Sequence, residues 1–117
     1  MRKLILCLLF SGLGFSGFAQ TPAASEKEKI ASLIAVIEKL EGAKFIRNGT
    51  EYDGKAAAEH LRLKWSKAGS KVKTAEDFID RCAAKSSMSG KPYQIRFADG
   101  TVKEAGEFLR EKLKALK

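Results

Sequence analysis

Asn48-Gly49 is the pair that most restricts how this chain can fold. Both residues readily take positive φ, so a two-residue hairpin turn is expected wherever short alternating stretches flank them. Phe45-Ile46-Arg47 and Thr50-Glu51-Tyr52 are such stretches. Immediately afterwards Asp53 can cap a helix that begins near Lys55 and ends at Gly69. Ala57, Leu61, Trp65 and Ala68 share one face of that helix, with His60 and Lys64 one turn apart on its flank. A hairpin of three-residue strands is not stable alone, so Phe45 to Trp65 must lean on the elements around it.

Those elements are legible on either side. Ser25 with Glu28 forms a capping box, and Ile30, Leu33, Ile34, Ile37 and Leu40 follow at helical spacing, with Gly42 as the stop. Thr74 with Asp77 repeats the capping pattern ahead of Phe78, Ile79, Cys82 and Ala83. Residues 86–92 read as a loop by composition. Tyr93, Ile95 and Phe97 then alternate with polar residues, Asp99-Gly100 turns the chain, and Thr101-Val102-Lys103 returns as a partner strand. Phe108, Leu109, Leu113 and Leu116 give a last helix. The expected class is α+β: about four helices with a small antiparallel sheet made from two short hairpins.

At the N-terminus Arg2 and Lys3 precede the apolar run Leu4 to Phe10, and Gly17 and Ala19 stand three and one before a cut that would leave Gln20 first. Residues 1–19 are therefore expected to be a secretory signal, and residues 20–117 a single small domain with a flexible lead-in at 20–25. The run is too short to span a membrane, so no transmembrane segment is expected after cleavage. The destination is the periplasm or the exterior. Without Arg2 and Lys3 the chain keeps 20 bases against 14 acids. That balance favours anionic partners such as lipid head groups, lipopolysaccharide or acidic glycans. No run of like charge suggests a basic arm, and nucleic acid is not an expected partner.

Few residues can carry chemistry. With His60 the sole histidine and Cys82 the sole cysteine after cleavage, neither a metal site nor an internal disulfide is expected. No glycine-rich phosphate loop follows a strand, and no cofactor is implied. Cys82 falls on an apolar face, where free cysteine is commonly buried. His60 could serve as base to Ser87 or Ser89 in a small hydrolase, although neither serine lies in a nucleophile elbow. Lys55, Arg62, Lys64, Lys67, Lys71 and Lys73 face only Glu59 between residues 55 and 73. That stretch could hold phosphate or carboxylate groups, or be a solvated face. Ser89-Gly90-Lys91-Pro92-Tyr93 fits a short Ser-Gly-x-x-Tyr pattern, resembling the loop with which some periplasmic lysozyme inhibitors enter the enzyme's cleft.

FIRNG, EYDGKAAAEHLRLKW, TAEDFI and KSSMSGKPYQIRF, in that order, resemble the YfeK-like family of small exported bacterial proteins, a domain family of unknown function. The resemblance runs over nearly the whole mature chain. It draws attention to Arg47, Asn48, Gly49, Tyr52, His60, Leu61, Lys64, Phe78, Ser87, Ser89, Gly90 and Tyr93. Relatives carry cysteine near the positions of Ala43 and Phe97, so any family disulfide is missing here. The resemblance implies export and a compact domain, but no reaction. The leading expectation is a non-enzymatic module binding an anionic envelope component or another periplasmic protein. Its face would comprise Arg47, Asn48, Tyr52, His60, Lys64, Ser87, Ser89, Gly90 and Tyr93, with Tyr93 and Trp65 as flat contact surface.

Overall fold

The structure, a computed structural model, describes residues 25–116. The expected signal segment, its cleavage after Ala19 and most of the lead-in lie outside the described residues.

Helix α1 spans Glu26–Lys39. The Ser25–Glu28 capping box forms as expected: each residue's side chain accepts from the other's backbone N–H, at 3.1 and 2.9 Å. Ile30, Leu33, Ile34 and Ile37 are its buried stripe. Strands β1 (Lys44–Arg47) and β2 (Thr50–Tyr52) pair antiparallel across the Asn48-Gly49 turn. Asn48 and Gly49 have φ of 51° and 80°, the left-handed pair that a type I′ turn needs.

Helix α2 spans Gly54–Ala68 and is capped by Asp53, whose carboxylate accepts from the Ala56 N–H at 2.8 Å. A short 3-10 turn, Gly69–Lys71, leads to helix α3, Ala75–Phe78. The expected third helical face is present but wound differently. After one turn of α-helix it continues as a π-turn, Ile79–Ala83, closed by the Ala84 N–H on the Ile79 carbonyl at 2.8 Å. Strands β3 (Gln94–Arg96) and β4 (Val102–Glu104) form the second hairpin, and helix α4 covers Ala105–Leu116.

The two hairpins join into one sheet in the order β2-β1-β3-β4, because β1 pairs antiparallel with β3. Phe45 and Ile95 face each other in that register, and both are buried against the helices. The α+β class and its two-hairpin sheet are therefore as expected. A core containing Ile34, Phe78, Ile79, Cys82, Ile95 and Leu109 lies between sheet and helices. Leu116, expected on the stripe of α4, is 42% exposed at the end of the helix. No helix among the described residues is long and apolar enough to cross a membrane.

Gly54 does more than open a helix. A β-carbon there would lie 2.7 Å from the Ile37 carbonyl oxygen and 2.9 Å from that of Glu38. The bare Cα lets the start of α2 press against the end of α1, a contact that composition cannot reveal. Gly54→Ala must push the two helices apart. It is expected to destabilise the domain by about 1–3 kcal/mol, the usual cost of overpacking. Urea denaturation would show this as a lower midpoint with an unchanged slope.

Candidate functional site

The sheet register assembles the site. Continuing the β1–β3 pairing one step beyond Ile46 and Gln94 sets Tyr93 opposite Arg47. Across the first hairpin Arg47 pairs with Thr50, so Tyr52 lies diagonally from it on the same face. Helix α2 crosses that face and brings His60 and Lys64 down onto it. Four residues chosen from the sequence for their polarity therefore meet a fifth, Tyr93, through elements far apart in the chain.

Their contacts are specific. Arg47 Nη2 donates to Tyr52 Oη at 3.0 Å, and Nη1 lies 3.1 and 2.9 Å from Nδ1 and Nε2 of His60. The guanidinium also stacks over the Tyr52 ring, 5.0 Å from its centroid. Lys64 Nζ donates to Tyr93 Oη at 3.0 Å and to the Lys85 carbonyl at 3.3 Å. Tyr93 Oη is in turn 3.4 Å from His60 Nε2. Neither Arg47 nor Lys64 has a carboxylate within ion-pair distance among the described residues.

That arrangement favours the neutral imidazole. Arginine has donors only, so one ring nitrogen of His60 must accept, and an imidazolium would set N–H against N–H. Burial lowers the His60 pKa below 6.5, and the positive charges of Arg47, Lys64 and Lys67 lower it further. The neighbouring charges that act on the ring are all cations. Arg47 itself is held more firmly protonated, first by its hydrogen bond to Tyr52.

Beneath the cluster a pocket of about 160 Å³ opens between sheet and α2. Ile37, Phe45, Leu61 and Leu109 line its depth, while Arg47, Tyr52, Glu59, His60 and Gln94 are its less buried polar residues. Its volume is close to that of cavities that accept a benzene ring. It is an apolar hole under a polar rim.

The remaining expected residues fall elsewhere. Asn48 reaches from the hairpin turn to the 86–92 loop, donating to Ser86 Oγ at 3.3 Å and accepting from Ser89 Oγ at 2.5 Å. Ser86 is the buried partner here and also accepts from the N–H groups of Met88 and Ser89. Gly90 supplies a φ of 73° in the same loop. Asn48, Ser89 and Gly90 thus hold a loop against a turn. Ser87 lines a second pocket, together with Lys64.

Three expectations change accordingly. His60 touches Arg47 and Tyr93, and neither Ser87 nor Ser89 is within hydrogen-bonding distance of it, so the serine–histidine pair of a hydrolase does not form. Trp65 packs edge-to-face on Phe78, with centroids 6.0 Å apart, and Tyr93 is buried, so neither offers a flat outer surface. In the Ser89–Tyr93 pattern only Ser89, Gly90, Lys91 and Pro92 are exposed. Cys82 is 1% exposed and burial raises its thiol pKa, as an inert core residue requires.

A family model described as a family of unknown function (DUF5329) matches residues 24–117, which include every residue of this site. The chain belongs to that family. An uncharacterized protein of Salmonella typhimurium, YfeK, is 36% identical over 93 residues, covering 80% of this chain and 77% of the relative. The resemblance to YfeK-like proteins read from FIRNG through KSSMSGKPYQIRF therefore holds. No solved structure matches the chain.

Proposed function

We propose that this member of the family is a non-catalytic binding module of the cell envelope. Its ligand is a small amphiphilic anion: a carboxylate on a compact apolar group, presented by an envelope component or by the end of a protein partner. The observation that carries the reading is Arg47, a cation without a carboxylate partner that lines an apolar pocket, with Lys64, also without one, hydrogen-bonded to Tyr93 of the same lining. A guanidinium has five donors in a planar fork, and two aromatic or imidazole contacts leave several of them for a carboxylate. Glu59 stands on the same rim, yet the field at His60 is set by cations. Recognition of this kind is common where an apolar cleft carries a few convergent polar groups. The expected signal segment supports an envelope location.

Benzoate, benzamide and inorganic phosphate separate the parts of this proposal by heteronuclear NMR. Benzoate should shift the signals of Arg47, Tyr52, His60 and Leu61, while benzamide and phosphate each supply half of the recognition and bind more weakly. Equal shifts with all three, or benzoate shifts scattered over the surface, would contradict it.

A further inference from the structure

A second concavity, of about 300 Å³, lies behind Lys64, between the end of α2, the 3-10 turn and the π-turn. Lys64, Lys67, Lys71 and Arg81 line it, with Ser87 and the buried Cys82. No carboxylate is among its lining residues. We propose that it is a site for a phosphate group carrying at least two negative charges, either a phosphomonoester or pyrophosphate.

Three observations converge on this. Lysines at the end of a helix are ordinarily explained by the helix dipole and by solvation. That accounts for Lys67 and Lys71, but not for Arg81, which comes from a separate element and is turned to the same hollow. Secondly, Lys67, Lys71 and Arg81 form no ion pair among the described residues. Asp77 feels the charge of Arg81 but is committed to the N–H groups of Lys73 and Thr74, at 3.0 and 3.2 Å. Thirdly, the hollow supplies a hydroxyl, from Ser87, beside the cations. Four positive charges in one concavity repel each other, and a multivalent anion relieves that repulsion more fully than a monocarboxylate does. Phosphate oxygens also suit the mixture of point-charge lysines and one guanidinium. The site is separate from the amphiphilic-anion pocket except that Lys64 stands between the two.

Phosphate of this kind reaches an exported protein either free in solution or on a lipid head group. Calorimetry with pyrophosphate and co-sedimentation with phosphatidic acid vesicles, against phosphatidylcholine vesicles, distinguish the two sources. The decisive comparison is the triple variant Lys67→Gln/Lys71→Gln/Arg81→Gln with a control of equal charge, Lys27→Gln/Lys39→Gln/Lys114→Gln. All six positions are exposed, so both variants should fold. The site variant should lose about tenfold or more in affinity for whichever phosphate source binds, and the control less than about threefold. Equal losses in the two variants would mean that net charge alone is responsible and would overturn the proposal. So would failure of both pyrophosphate and phosphatidic acid to bind the unaltered protein. Because benzoate does not need Lys67, Lys71 or Arg81, its binding survives in the site variant whatever the outcome with phosphate.

Discussion

Phe78→Ala should cost the domain about 3–5 kcal/mol, the usual range for emptying a buried phenylalanine site. Phe78 is fully buried and closes edge-to-face on Trp65, at the point where α3 passes into the π-turn. Domains of this size are stabilised by only about 5–15 kcal/mol, so the loss is a large fraction of the total. The melting temperature should fall by roughly 12 °C or more, at about 4–8 °C per kcal/mol. The effect should extend beyond stability. Arg81 and Cys82 ride on the π-turn that Phe78 anchors, and amide exchange there should quicken before the rest of the protein opens. A loss under about 1 kcal/mol would mean that Phe78 is not closely packed in the core.

Arg47→Gln should weaken benzoate binding by about ten- to a hundredfold, the cost of losing a charge-assisted hydrogen bond or two. The fold should survive, since glutamine keeps a donor near Tyr52 and the half-buried arginine is not part of the apolar core. The variant should also act on its neighbour in a defined direction. Removing the guanidinium removes one of the influences that lower the His60 pKa, so that pKa should rise. It should stay below 6.5, because burial, the larger cause, remains. Unchanged benzoate affinity together with an unchanged His60 pKa would separate Arg47 from the site.

How much of this was legible beforehand depended on the range of the interaction involved. The Asn48-Gly49 turn, the Ser25 and Thr74 capping boxes and the stripe from Ile30 to Ile37 are local, and the structure reproduces them. Pairing of β1 with β3 is not local, and it alone sets Tyr93 opposite Arg47. His60 and Lys64 could be placed on one flank from their spacing, but their partners could not. The same limit misassigned Trp65 and Tyr93: amphiphilic side chains look like contact surface until packing shows them turned inwards. Arg81 on its π-turn carries no mark in the sequence. A change from α to π winding alters which residue of a short segment faces outwards, and nothing in IDRCA announces it.

The most direct test of the account follows the imidazole of His60, the chain's only histidine, by NMR as pH is lowered, without and with benzoate. In the free protein its pKa should lie below 6.5, because burial and three cations oppose the charged form. The unfolded chain then takes up its proton first. Stability should be fully present above about pH 6.5 and fall as pH drops towards the folded-state pKa, and His60→Gln should remove that slope. A carboxylate seated on Arg47 offsets the surrounding positive charge, so saturating benzoate should raise the His60 pKa. A free-protein pKa at or above 6.5, or one that benzoate leaves unmoved, would contradict the assignment of this cluster as an anion site.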